Sequence, residues 1–311
     1  MEFLLYGALL LSQLGTAAKQ YAMKKCGALA PGAFNSICIN LARAMICLTV
    51  SLLIWVLTDR AGAPITGVLI AVAAGVGTAL NLFTWILSSQ RISLTLIEGC
   101  CTVGGLVAPL LLAPFLFAGE RVSPIQWIGT ALVIASLFLF MGKDTKARKK
   151  GGKLTSGCIL TVCVLGVTVA AIAKKLYTIH IFDAGLGSIE YFTLISFIAV
   201  AVVFALLFSI YCPLARRELC AAKQAGEATH ALLPYRRVWG FILIAGGALY
   251  VAELFATYAA GLPAAIYYPA QKAIGVLGCF ILDVAVFKER VTIKKTIGLC
   301  LLVLAVVLIN L

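Results

Sequence analysis

The sequence predicts an all-α polytopic membrane protein of about ten transmembrane helices, arranged as two inverted five-helix repeats. Three observations carry that expectation. First, 62% of the 311 residues are hydrophobic, 12% are charged and the mean hydropathy is +1.07, whereas a soluble domain has roughly a quarter of its residues charged. Second, apolar runs long enough for a bilayer, which needs about 20 residues per helical crossing, follow one another with short polar breaks. Third, the ends of the two halves carry the same short motif at matching positions.

Breaks at Gly, Pro and charge place the helices at roughly 3–25, 33–58, 66–88, 94–118, 124–142, 154–177, 187–212, 237–260, 264–287 and 292–310. The first run begins almost at Met1, with no basic region before it and no small-residue cleavage site after it, so it reads as helix one and not as a removable signal peptide. Gln13, Thr16 and Gln20 form one polar stripe along it, and Lys19, Lys24 and Lys25 read as residues snorkelling to headgroups at its end. Helix two carries Arg43 and Asn40, and helix three the stripe Asn81, Thr84, Trp85 and Ser88. Helix four has Glu98 near its start and Pro109 and Pro114 further on, either kinking it or simply tolerated.

A basic stretch of Lys143, Lys146, Arg148, Lys149, Lys150 and Lys153, opposed only by Asp144, follows helix five and divides the chain almost in half. After helix seven the polar stretch from Pro213 to Arg237 reads as a helix lying on the membrane surface. In helix eight Tyr250, Glu253 and Thr257 fall at i, i+3 and i+7, one stripe. In helix nine Tyr268 and Lys272 are i and i+4, beside Gln271, and Asp283 near its end reads as solvated or paired.

The halves match each other. Glu120-Arg121-Val122-Ser123 with Gly129 and Glu289-Arg290-Val291-Thr292 with Gly298 stand 169 positions apart, and Gly15 with Lys24 aligns to Gly166 with Lys175 at an offset of 151. The 18-residue difference fits an insertion in the polar stretch 213–237. Five spans per half is an odd number, so the second half sits upside down relative to the first. Inverted repeats of this kind belong to secondary transporters, whose sites lie near the midplane where the halves meet.

Other classes are excluded by what is missing. The chain has two histidines and no H-E-x-x-H, G-x-S-x-G or P-loop motif, so neither catalysis nor ATP hydrolysis is expected. Of the 11 cysteines, eight fall inside apolar runs without C-x-x-C spacing, and they read as packing residues, so no metal or other cofactor is expected. The net charge of +13 comes from basic residues in short loops, which is membrane orientation and not nucleic-acid binding.

The stretch Gly77-Thr78-Ala79-Leu80-Asn81-Leu82-Phe83-Thr84-Trp85, then Leu94 to Glu98, then Gly119-Glu120-Arg121-Val122 and Gly129, resembles the EamA-type repeat of the drug/metabolite transporter superfamily. Ala256-Thr257-Tyr258-Ala259, Tyr268-Pro269, Phe287-Lys288-Glu289-Arg290-Val291 and Gly298 repeat it. The resemblance implies a ten-helix, alternating-access carrier, with one repeat over 1–142, a linker over 143–153 and the second repeat over 154–311. It also implies a multi-pass protein of a prokaryotic inner membrane, and it names no substrate. Counting charges, 18 of the 25 basic residues fall in loops after odd-numbered helices, which makes that face cytoplasmic and puts both termini outside. Members of the resembled family are expected to keep both termini inside, and the two arguments conflict.

Ionisable groups within apolar spans cost about 2.5–3.5 kcal/mol each on insertion scales and are functional candidates by default. The expected substrate site is Lys272, Gln271, Tyr268, Glu253, Tyr250, Thr257, Asn81, Thr84, Trp85, Gln13 and Arg43, with Glu253 and Glu98 as candidate proton carriers. Lys272 has two readings, a ligand for a substrate carboxylate or phosphate and a structural ion pair with Glu98 or Glu253. The expected function is therefore secondary transport of a small organic metabolite, an anion if Lys272 reads it. Proton-coupled export of amphipathic drugs or amino acids is the alternative within transport, and a membrane scaffold or lipid-binding subunit is the alternative outside it. The expected partners are a small-molecule substrate and membrane lipid; whether the chain pairs with a second copy is left open.

Overall fold

The computed structural model describes residues 2–30, 32–58, 62–89, 97, 101–116, 123–140, 153–224, 236–288 and 293–309. Glu98, most of the basic linker, and residues 225–235 of the polar insertion lie outside them. Every regular element among the described residues is helical. This follows from a chain with long unbroken apolar runs, since in lipid a helix satisfies its own backbone hydrogen bonds.

The helices are α1 (Glu2–Leu29), α2 (Ala33–Leu57), α3 (Ile65–Ser89), α4 (a π-turn Val103–Val107 leading into Ala108–Leu116) and α5 (Pro124–Phe140) in the first half. In the second half they are α6 (Lys153–Tyr177, ending in a π-turn Thr178–Phe182), α7 (Ile189–Gln224), α8 (Arg236–Ala259), α9 (Ala264–Ile281, ending in a π-turn Leu282–Val286) and α10 (Ile293–Ile309). Six stretches are long and apolar enough to cross a membrane: Ala33–Leu57, Ile65–Ser88, Ile159–Phe182, Ile189–Pro213, Val238–Ala259 and Ala264–Val286. The protein is accordingly an integral membrane protein. The 28-residue α1 is not among the six, and the reason lies in its composition: Gln13, Lys19, Gln20, Lys24 and Lys25 dilute its apolar character.

One boundary departs from the sequence expectation. Instead of stopping at Pro213 and giving way to a separate surface helix, α7 runs through it to Gln224, 36 residues in all. A proline removes one backbone donor and strains one turn, and here the helix continues past that single loss.

Helix pairing is set by close backbone approaches. A Cβ built on Gly15 of α1 would lie 2.9 Å from the Ala248 carbonyl oxygen on α8, and one built on Gly77 of α3 would lie 2.7 Å from the Gly166 carbonyl oxygen on α6. No larger residue fits at these two crossings, so small residues bring α1 onto α8 and α3 onto α6. The other extensive pairings are α5 with α10, α2 with α7 and α3 with α7. In α4, Gly104 and Gly105 sit inside the π-turn, and a Cβ on Gly105 would lie 2.5 Å from Lys272 Cε. The helix therefore leaves room for that lysine. Gly75, Gly104 and Gly105 thus serve packing, whereas Gly247 faces open space.

Candidate functional site

The seams between these helices do not close completely. Between them lies a cavity of about 910 Å³ of atom-free space, its open mouth included. On α1 the lining runs through Gln13, Thr16, Lys19, Gln20 and Met23, and on α3 through Thr78, Asn81, Leu82 and Trp85. On α6 it runs through Val167, Ala170, Ala171 and Lys174. Each set repeats at three- and four-residue steps, which is one face of a helix. Arg43 from α2, Cys101, Glu253 from α8, and Tyr267, Gln271 and Lys272 from α9 complete the wall.

Seven of the eleven expected site residues therefore border one space: Gln13, Arg43, Asn81, Trp85, Glu253, Gln271 and Lys272. Four do not. Tyr268 is fully buried, and its hydroxyl donates to the Ala171 carbonyl oxygen at 3.2 Å, so it buttresses α6 behind the wall. Its neighbour Tyr267 takes the cavity position, accepting from Gln271 Nε2 at 3.2 Å and donating to the Ala256 carbonyl oxygen at 3.0 Å. Thr84 turns its hydroxyl back onto the Leu80 carbonyl oxygen at 2.8 Å. Tyr250 is buried against Phe197, with no hydrogen-bond partner for its hydroxyl among the described residues. Thr257 donates to the Glu253 carbonyl oxygen at 2.9 Å and lines a smaller adjoining cleft with Thr78, Lys174, Thr193, Ser196 and Glu253.

The electrostatics are dominated by cations. Lys19, Arg43, Lys174 and Lys272 border the cavity, with Glu253 the carboxylate among the described lining residues. Glu253 is ion-paired with Lys174, and that pair stands where the cavity meets the smaller cleft. Glu253 thus has Lys174, and not Lys272, as its ion-pair partner, while the pairing of Lys272 with Glu98 lies outside the described residues. The lining also corrects the reading of Lys19, which faces the cavity instead of headgroups. Arg43 is 1% exposed; its Nη1 donates to Asn40 Oδ1 at 3.0 Å and contacts Met23 Sδ at 2.8 Å. Asn40 in turn donates from Nδ2 to the Leu82 carbonyl oxygen at 3.3 Å. Polar groups of the wall are thus held by a layer of backbone and amide contacts behind them.

Lys174 and Lys19 are the charged lining residues that the sequence reading left out of the site. A signal for each was present. Lys19 lies three residues beyond Thr16, on the same stripe, and Lys174 stands at i+7 from Val167 with small Ala170 and Ala171 between. Small residues beside a buried lysine mark a face that leaves space.

A second charged cluster lies along α1. Lys24 Nζ is 3.1 Å from Asp283 Oδ1, and it sits 3.9 Å from the centre of the Phe287 ring. Asp283 is therefore paired and 1% exposed. Among the described residues no group of three or more His, Cys, Asp or Glu side chains is placed to hold a metal ion. The Cys101 and Cys163 thiols lie 3.3 Å apart, close to Asn81 Oδ1.

No family profile and no curated protein matches the chain. Among solved structures, one crystal structure is similar over 97% of this chain and 94% of its own, with a TM-score of 0.65 and 16% identity. At that identity the likeness is one of fold, and the helical arrangement described above is shared along nearly the whole length of both chains.

Proposed function

We propose that the chain is a secondary carrier of a small organic anion, threading the bilayer ten times as two inverted five-helix units and working by alternating access. The observation that carries this reading is the cavity itself: polar and cationic side chains from both halves converge on one space inside an otherwise apolar helical protein. Burying so many polar groups in a membrane protein is costly, and a scaffold or lipid-binding subunit has no use for them.

The helix pairings support the inverted repeat. An axis exchanging the halves makes α1 equivalent to α6 and α3 to α8, so the α1–α8 pair corresponds to the α6–α3 pair. Gly15 and Gly166, aligned by the 151-residue offset, each pack on the backbone of the helix that this exchange requires. The α2–α7 and α5–α10 pairs would each lie across the axis. The EamA-type resemblance is consistent with this arrangement, and a cell membrane is the location it favours.

Reconstitution tests the reading. Purified protein in liposomes is expected to take up anionic metabolites, first selected by a thermal-stability screen, with saturable kinetics that depend on a gradient or on exchange. Lys272→Met is expected to abolish that uptake while leaving the protein inserted and folded. Labelling of engineered cysteines is expected to place corresponding loops of the two halves on opposite sides of the bilayer. Uptake that stays linear and identical to that of empty liposomes refutes the carrier, and corresponding loops on one side refute the inverted repeat.

A further inference from the structure

Among the described residues the charge lining the cavity is out of balance. Four cations face the Glu253 carboxylate among the described lining residues, a formal surplus of +3. Even a second carboxylate would leave +2. A surplus of that size in a low-dielectric surrounding is costly unless the occupant brings the matching negative charge.

Arg43 shows where one of those charges would go. Its guanidinium has no ion pair among the described residues, and its hydrogen-bonded partners, Asn40 and Met23, are both neutral. They hold Nη1. Nε and Nη2 are buried with no hydrogen-bond partner among the described residues. These are the two donors on one edge of the guanidinium, and their N–H bonds run side by side in the spacing that a carboxylate's two oxygens cap. The edge is oriented in advance, because Asn40 is itself anchored to the Leu82 carbonyl oxygen at 3.3 Å. Lys19 and Lys272 lie elsewhere on the wall, on α1 and α9, within electrostatic reach of Glu253. Cations spread over several helices suit a ligand with separated charges better than one compact phosphate.

The geometry points to a dicarboxylate-class ligand, one carboxylate capping the Nε/Nη2 edge of Arg43 and the other lying toward Lys19 and Lys272. This rests on the carrier reading for the cavity's role and adds the chemical class of what it carries. Both nitrogens are buried in this state, so capping them takes a shift of the Arg43 side chain or of the groups packed over that edge.

Thermal unfolding of the purified full-length protein with malonate, succinate and glutarate tests the inference, with propionate, butyrate and inorganic phosphate as comparison probes. At least one dicarboxylate is expected to raise the midpoint saturably and to bind about tenfold or more tightly than the monocarboxylates and phosphate, the scale of one charge-assisted contact. Arg43→Lys keeps the charge and loses the edge, and is expected to weaken that binding by about tenfold or more. Should Arg43→Lys elute as aggregate, Asn40→Ala, which frees the guanidinium from its anchor, is expected to weaken the same dicarboxylate. Equal binding of mono- and dicarboxylates overturns the second charge. Tighter binding of phosphate overturns the carboxylate class, and wild-type affinity in a folded Arg43→Lys variant overturns the role of Arg43. If no dicarboxylate binds while liposomes show saturable, gradient-dependent uptake of another solute, this inference falls and the carrier stands.

Discussion

Two lysine–carboxylate pairs, Lys174–Glu253 and Lys24–Asp283, use the same chemistry in different surroundings. The first joins α6 to α8 and borders open space, its side chains 12% and 20% exposed, with Lys19 and Lys272 near the carboxylate. The second joins α1 to the π-turn at the end of α9, with its carboxylate side chain 1% exposed and an aromatic ring over its lysine. In the first, a ligand anion can compete for the lysine while neighbouring cations still balance Glu253. In the second the carboxylate is 1% exposed and neither residue lines the cavity or the cleft, so the pair acts as a fastening. Whether a buried ion pair binds or fastens is decided by the space beside it.

The largest expected effect breaks the fastening. Lys24→Met leaves Asp283 buried without this partner, and loss of about 3–5 kcal/mol is expected, seen as a sharp fall in the thermal midpoint in detergent. Next comes the α3–α6 crossing, where Gly77→Ala puts a methyl group against the Gly166 carbonyl oxygen and is expected to cost about 1–3 kcal/mol. Lys174→Met sharpens the contrast: because Lys19 and Lys272 remain near Glu253, the midpoint is expected to fall by less than in Lys24→Met. A variant as unstable as Lys24→Met would show that both pairs are fastenings. Smallest is Lys25→Ala, whose ammonium lies 5.5 Å from the Phe287 ring centre; about 0.5 kcal/mol is expected, within the scatter of surface substitutions.

Much of the helical layout was legible because apolar length is a local property of a sequence. The stripe Gln13, Thr16 and Gln20 lines the cavity as its spacing required. On α9 the same reasoning found the face but chose the wrong tyrosine: Tyr268 lies on the arc between Tyr267 and Lys272, yet its hydroxyl reaches the α6 backbone and leaves the wall to Tyr267. Periodicity gives direction around a helix and says nothing of how near the next helix stands. The small-residue signal beside Lys174 could not by itself settle its direction, for a related reason. A lysine near a helix end can reach headgroups or turn inward, and only the position of α8, set by Gly15 more than 200 residues before Glu253, decides between them. The end of α7 was misread because a proline weakens one turn and need not stop a helix.

That long helix has a mechanical consequence. Its membrane-capable part ends at Pro213, and the helix continues to Gln224. At about 1.5 Å per residue the extra length is roughly 16 Å, enough to stand clear of a hydrocarbon core about 30 Å thick. A stalk projecting from the membrane in line with a spanning helix offers a rigid handle: a small soluble protein spliced onto it in helical register would move with α7 and give a compact, almost featureless particle the asymmetric mass that image alignment needs.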